Sequence, residues 1–282
     1  MKYLIADSGS TKTAWATVVN GSMQRTLTGN GINPTVMSED EIRGLLAEQL
    51  KTLLKDEVVD KVFFYGAGCK GEGCKRLERV IADFIPMAEI NIYSDMLGAA
   101  RSVLGNNEGI VSILGTGSNS CRYDGNQICD NVSPLGYILG DEGSGAALGR
   151  LLVGEVLKGD LMYLKQDFFD EMGVDESSII ERVYRRSFPN RFLASLTPFL
   201  YNHKCDDKVR NFIIQEFVRF LRRNIRQYNC SHLPICFVGS IAWWFKDELK
   251  QAVESEGYQL GVVLQKPLEG LIAYHTNRYD IL

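Results

Sequence analysis

The feature that most constrains this chain occurs twice: an apolar run, a turn rich in Gly, Ser and Thr, and a returning run. Lys2–Ala6 and Ala14–Val19 flank the polar segment DSGSTKT at Asp7–Thr13. Gly109–Leu114 leads into GTGSNS, with another strand near Ser120–Tyr123. Short, partly β-branched runs bounded by such turns read as paired strands. One copy in each half predicts two α/β lobes, each able to offer backbone N–H groups to a single nucleotide. The lobe boundary is expected near Asn106: residues 1–106, with a C-terminal helix at 268–282 crossing back to them, and residues 107–267.

Between these anchors the pattern alternates. Glu39–Leu54 has helical periodicity behind Ser38, a cap with Glu41 three residues on, and feeds a buried strand at Lys61–Tyr65. Helices are expected at about Cys74–Phe84 and Met96–Leu104, with a strand at Glu89–Tyr93 between them. That leaves Asp95 at the carboxyl edge of a sheet, where open α/β sheets bind ligands. After Gly136–Gly149 the chain reads as largely helical to about Asn229. A buried strand at Ile235–Val238, a helix at Ala242–Glu256, an edge strand near Gln259–Leu264 and a helix at Leu268–Thr276 close the pattern.

The 282 residues allow roughly two domains, each with a core of its own. A net charge of −4 gives no basic excess to hold nucleic acid or an anionic membrane. No apolar run reaches the roughly 18 residues that span a bilayer, and Met1–Ala6 is too short for a signal core, so a cytoplasmic protein is expected. Seven cysteines with no C-x-x-C pair argue against a disulfide framework or zinc ribbon. Three scattered histidines assemble no zinc helix or triad, which leaves carboxylates to carry catalysis.

In the first turn, hydroxyls of Ser10, Thr11 and Thr13 can contact phosphate oxygens and Asp7 can hold hydrated magnesium. In the second, Gly115, Thr116 and Gly117 allow close backbone approach to a phosphate, and Asn119 carries an amide able to bind a sugar hydroxyl. Neither is a Walker A loop, since no Gly-Lys-Ser or Gly-Lys-Thr follows. Gly66-Ala-Gly68-Cys-Lys-Gly71 fits G-x-G-x-x-G, but it follows the third strand and no second βαβ unit continues from it, so a nicotinamide site is disfavoured. Asp95 is placed to accept a hydroxyl proton, and Asp141, in GDEGSG, to bind sugar hydroxyls; the bland alternative for each is a helix cap. Gly239-Ser240 can let a flat ring lie against the backbone, and Trp243 and Trp244 read as core residues first and as neighbours of that ring second.

The ordered set DSGSTKT, Gly31-Ile-Asn33-Pro34, Ser94-Asp95, ILGTGSNS, LGYILGDEGSG and VGSIAWWF resembles the N-acetylglucosamine kinase branch of the actin-like ATPases nearly end to end. It is similar also to the ATP-dependent activators of benzoyl-CoA reductase and 2-hydroxyglutaryl-CoA dehydratase. The resemblance implies two ribonuclease-H-like lobes with a cleft between them, ATP and Mg2+ as cofactors, and phosphorylation of an amino sugar, N-acetylglucosamine at its 6-hydroxyl foremost. By position it implies that Thr11 and Thr116 bind ATP phosphates, Asp7 organises magnesium, Gly239 and Ser240 border adenosine, and Asp95 is the base. Asn33, Ser118, Asn119, Gly136, Tyr137 and Asp141 would then line the sugar pocket. Kinases of the family commonly dimerise, so a homodimer is implied.

Two departures stand out: the first turn has fewer glycines than the family often shows, and the last helix opens Pro267-Leu-Glu269-Gly270 in place of a run of small residues. The Cys/His zinc cluster of repressor-type sugar kinases is absent. Two other readings stay open: an activator passing an electron from an iron–sulfur cluster, with Cys69 and Cys74 as candidate ligands, and a non-catalytic sugar sensor.

Overall fold

The computed structural model describes residues 1–9, 11–55 and 57–276. They fall into two compact units, Met1–Asn107 with the segment from Lys266 onward, and Glu108–Gln265.

The first unit is built on β1 (Lys2–Ser8), β2 (Lys12–Val19), β3 (Ser22–Asn30), β4 (Lys61–Gly66) and β5 (Glu89–Ser94), in the order β3-β2-β1-β4-β5. β1 pairs antiparallel with β2 and parallel with β4, and β4 continues parallel to β5. Alternation along β1 explains its apolar sequence. Leu4 and Ala6 join the core with Ile42, Leu46 and Leu77 of the helices Glu39–Leu54 and Glu72–Phe84, while Ile5 packs with Leu268 and Leu271 of the helix Leu268–His275. A central strand covered on both faces has no polar side to show.

Local chemistry sets the element ends. Ser38 starts its helix with a complete capping box: the Glu41 amide donates to Ser38 Oγ at 3.3 Å, and the Ser38 amide to Glu41 Oε2 at 2.7 Å. Such a cap contributes about 1 kcal/mol. The expected helix at Cys74 begins two residues earlier, at Glu72, and β3, a mostly exposed strand, is one the sequence pattern did not announce.

The second unit repeats the topology. β6 (Glu108–Leu114), β7 (Ser118–Asp124), β8 (Ile128–Asp130), β9 (Ile235–Val238) and β10 (Leu260–Leu264) run β10-β9-β6-β7-β8. β7 is antiparallel to both neighbours, and β9 is parallel to β6 and β10. Each sheet thus has the two antiparallel and two parallel pairings of a ribonuclease-H-like lobe, and the chain has the two-lobed α/β fold of the actin-like ATPases. The helices Gly145–Lys158 and Asp207–Arg223 bury Leu148, Leu152, Phe217 and Phe220 with Ile110 and Phe237 of the sheet. The single helix expected at Ala242–Glu256 is two, Ser240–Trp244 and Lys246–Ser255. No helix of the described residues is long and apolar enough to cross a membrane.

Gly270 shows why the last helix opens as it does. A Cβ there would stand 2.1 Å from the carbonyl oxygen of Ser102 in the helix Asp95–Leu104, so the two helices touch backbone to backbone. Gly154, on the exposed side of Gly145–Lys158, has nothing within 4 Å. Gly270→Ala is expected to lower stability by about 1–3 kcal/mol through overpacking. Gly154→Ala is expected to raise it by about 0.5–1 kcal/mol through helix propensity. Urea denaturation of the two variants beside wild type checks both signs.

Candidate active site

In the first unit the parallel register does the positioning. Ser8 of β1 is level with Gly66 of β4, and Gly66 with Ser94 of β5, so three strands stop together with Asp7 just below the edge and Asp95 just above it. Ser94 caps the helix that Asp95 opens, its Oγ accepting from the Leu97 amide at 3.2 Å. The Asp95 Oδ1 takes the Met96 amide at 2.9 Å. Burial raises the Asp95 carboxyl above its ordinary range, and the Met96 amide and the Lys70 charge oppose the rise. Asp7 is pushed up to about 7, first by burial and then by the charge of Asp95. A carboxylate raised by burial and by a second acid is relieved by a cation, so Asp7 fits as a residue that would hold Mg2+.

The surrounding turns hold this edge in place. Gly31 donates its amide to the Thr11 carbonyl at 3.0 Å, bracing the β1–β2 turn, whose Thr11 side is exposed. Asn33 lies against the Gly66–Gly71 loop: its Oδ1 accepts the Thr35 amide at 2.9 Å, and Thr35 Oγ1 donates to the Gly68 carbonyl at 3.0 Å. The G-x-G-x-x-G segment therefore serves as a wall beside Asn33 and Asp95. Asp7, Asn33 and Asp95 are brought to one edge.

Thr13 is a correction. It is fully buried, with its hydroxyl within 2.7 Å of Ser8 Oγ and donating to the Asn30 carbonyl at 3.0 Å, so it ties the strands together and has no hydroxyl to offer a phosphate. β-Strand alternation turns it inward, a consequence of its pairing with Ser8. Ser10, expected at the same turn, lies outside the described residues.

In the second unit, the turn Gly115-Thr116-Gly117 is fastened by its carbonyls. The amides of Gly145 and Ala146 donate to Gly115 and Thr116 oxygens at 2.8 and 3.0 Å, and Ser144 Oγ takes the Ala147 amide at 3.1 Å. A helix start thus uses its unpaired donors to hold the turn. Beside it, Gly239 (φ +126) ends β9. A Cβ at Gly239 would meet the Leu114 oxygen at 2.2 Å, so only glycine lets these two strand ends touch. Ser240 is exposed at the start of the next helix. Trp243 and Trp244, expected in the core, are 43% and 47% exposed, and Trp244 packs edge-on against Tyr201.

Asp141 is buried against this turn. The Ser118 amide donates to its carboxylate, and burial, aided by the charge of Glu142, raises it to about 6. Its own amide donates to the Pro134 carbonyl at 2.9 Å, and that of Gly140 to Gly136 at 2.8 Å, which closes the one-turn helix Gly136–Leu139 onto it. Tyr137 packs from that helix onto the core. Asn119 alternates away from Ser118, and its Oδ1 accepts from Asn131 Nδ2 at 2.9 Å. Residues that the sequence reading did not mark also matter: Ser8, whose Oγ donates to the Ile32 carbonyl, and Lys70 beside Asp95. Strand-end placement signals Ser8, whereas nothing local signals Lys70. Cys69 is buried and its thiol is pushed up to about 12, so it sits as a neutral thiol. Among the described residues no group of three or more His, Cys, Asp and Glu side chains is arranged to hold a metal ion.

The chain is 44% identical to the proposed N-acetylglucosamine kinase of Porphyromonas gingivalis, whose crystal structure superposes with a TM-score of 0.95 over 98% of this chain and 99% of that one. The chain belongs to the N-acetylglucosamine kinase-like branch of the actin-like ATPases. The proposed N-acetylglucosamine kinase of Chromobacterium violaceum shares this branch's fold at 17% identity (TM-score 0.76, covering 97% and 98%). The ROK family glucokinase of Streptomyces griseus, solved with glucose and AMPPNP, shares it more distantly, at 15% identity and a TM-score of 0.57 over 97% and 98%. No protein-family model matches the sequence, and none of the curated proteins does.

Asp141 makes a pH signature. Its carboxyl is raised in the folded state, so its contribution to stability is fully present below about pH 4 and is lost as pH rises through about 6. By linkage, the ionised form costs the fold about 2–3 kcal/mol at pH 8. Asp141→Asn keeps an oxygen for the Ser118 amide and suits the left-handed backbone at this position (φ +53). It is expected to stabilise the protein by that amount at pH 8 and by almost nothing at pH 4, measured by chemical denaturation at both.

Proposed function

We propose that this protein transfers the γ-phosphoryl group of MgATP to the 6-hydroxyl of an amino sugar, N-acetylglucosamine foremost. The observation that carries the reading is the pair Asp7 and Asp95, set at the edge where three parallel strands end and close enough for the charge of Asp95 to be felt at Asp7, in a chain 44% identical along its length to a proposed N-acetylglucosamine kinase.

A sugar hydroxyl is a poor nucleophile until its proton has somewhere to go. Asp95 accepts it: burial makes this carboxylate more basic than an exposed one, while the Met96 amide and the Lys70 charge oppose the rise. Asp7 would hold hydrated Mg2+, and that ion would supply neutralisation of charge on the transferring phosphoryl group. The amides of Thr116 and Gly117 hold phosphate oxygens, with the Thr11 and Thr116 hydroxyls as further phosphate contacts, and Gly239-Ser240 leaves room for the adenosine. Asn33 and Asp141 bind sugar hydroxyls, and Ser118, Asn119, Gly136 and Tyr137 shape the surroundings. Asp141 suits a ligand rich in hydroxyls, since these return the hydrogen bonds that burial removed from its carboxylate.

A coupled assay of ATP consumption across N-acetylglucosamine, glucosamine, N-acetylmannosamine and N-acetylmuramic acid tests the reading, with turnover expected to be highest on the first. Asp95→Asn is expected to bind the sugar yet lose about 10²–10⁴ in kcat. EDTA is expected to abolish turnover and added Mg2+ to restore it. Undiminished sugar-dependent turnover in Asp95→Asn removes Asp95 from the role of base.

A further inference from the structure

The segment that carries Asp141 is conformationally unusual. Leu135 (φ +61), Gly136 (φ +77), Asp141 (φ +53) and Gly143 (φ +72) all adopt the left-handed region, two of them without the freedom of glycine. Such a stretch keeps its shape only where its surroundings impose it.

At residues 142 and 143 the imposing surface is one stripe of the helix Asp207–Arg223 and the residue after it. Glu216, Phe220, Arg223 and Asn224, spaced by four, three and one, share a helix face. Glu216 Oε1 accepts the Gly143 amide at 3.1 Å. Phe220 closes over Gly143, where a Cβ would stand 3.0 Å from the Phe220 Cβ. Arg223 Nε donates to Glu142 Oε1 at 2.7 Å and Asn224 Nδ2 to Glu142 Oε2 at 3.3 Å. Every hydrogen bond of this grip lands on residue 142 or 143, next to Asp141.

The grip is built from costly parts. Glu142 and Glu216 are 6% and 4% exposed and repel one another, and the cations that answer them, Arg223 and Arg219, are themselves about half exposed. Apolar side chains would fasten a loop to a helix without that penalty, but they cannot accept the Gly143 amide or fix its direction. The chemistry chosen is the kind that specifies geometry.

We propose that Glu216 is a positioning residue for the sugar site: by accepting the Gly143 amide it holds the left-handed turn that presents the Asp141 carboxylate to the sugar hydroxyls. The inference rests on the reading of Asp141 as a sugar-binding residue of a kinase. It assigns a role to a helix that touches no proposed reactant.

The test compares Glu216→Met, which removes the acceptor, with Glu216→Gln, which keeps an oxygen for the same amide. With N-acetylglucosamine and MgATP, Glu216→Met is expected to raise the sugar KM about tenfold, as losing one buried hydrogen bond implies, with kcat within about threefold and the ATP KM unchanged. Glu216→Gln should restore the sugar KM. Hydrogen exchange of residues 140–144 in the free protein should speed up in the Met variant alone. An unchanged sugar KM with unchanged exchange in Glu216→Met overturns the proposal, as does a Gln variant as impaired as the Met one. If Glu216→Met does not fold, Arg223→Gln loosens the same turn from its solvent side. It is expected to raise the sugar KM and speed exchange, and wild-type values for both overturn the proposal. Should the wild-type protein phosphorylate no amino sugar, the kinase reading falls, and exchange at residues 140–144 in the Met and Gln pair still decides whether Glu216 holds the turn.

Discussion

The constraint on which the rest depends is that three parallel strands of the first unit stop at the same level. Parallel pairing fixes register one residue at a time, so the level alignment of Ser8, Gly66 and Ser94 is not adjustable locally. It decides that Asp7 and Asp95, 88 positions apart in the chain, share an edge and each other's field. The apolar alternation of β1 is what makes the register stiff, since a slip by one residue would exchange Leu4 and Ala6 with Ile5 between two differently packed faces. The core therefore sets the electrostatics of the edge, and the electrostatics set what the edge can bind.

The second unit applies the same plan with a different fastening. Its phosphate-sized turn is not held by side chains of its own. The helix Gly145–Lys158 spends its first two amides on the carbonyls of Gly115 and Thr116. With the Gly115 amide spent on the Gly117 oxygen, a turn bound from behind in this way can offer the Thr116 and Gly117 N–H groups in front, and the helix dipole adds to the positive side of that arrangement. In the first unit the corresponding job falls to Ser8 and Thr13, whose buried hydroxyls link β1, β2 and the segment at Ile32. Two copies of one topology thus brace their turns by unrelated contacts.

What could be read from the sequence follows from where the signal is local. The buried strands Lys61–Gly66 and Ile235–Val238, the capped helix at Ser38 and the carboxylates at Asp95 and Asp141 all carry their evidence within a few neighbours. β3 and β8 do not: both are sheet edges with much of their length exposed, so their side chains are polar and carry little apolar alternation. The hydroxyl of Thr13 follows a turn, which suggests a ligand residue, yet strand pairing, which composition does not reveal, turns it inward. Trp243 and Trp244 err the other way, since ring size argues for burial and only the break at Phe245 between two short helices leaves them on the surface. Glu216 lies 75 positions from Asp141 on a helix whose amphipathic pattern is complete without it, and so it is legible only in three dimensions.

These placements share a cost that a ligand is suited to relieve. In the free protein Asp7, Asp95 and Asp141 all hold protons more tightly than exposed carboxylates, because each has lost water and two of them face another acid. A folded state carries such groups only if the surrounding core is strong enough to bear them, and here each unit has its own large apolar cluster behind its edge. A cation at Asp7, or hydroxyls at Asp141, would supply the partners that burial withheld, so the interaction gained on binding exceeds what the same groups would gain from water at an exposed site. On the proposed reading, stability given up at these carboxylates would become affinity for the ligand they bind, and the turn at residues 135–143, with four left-handed residues, is one place where that cost is concentrated.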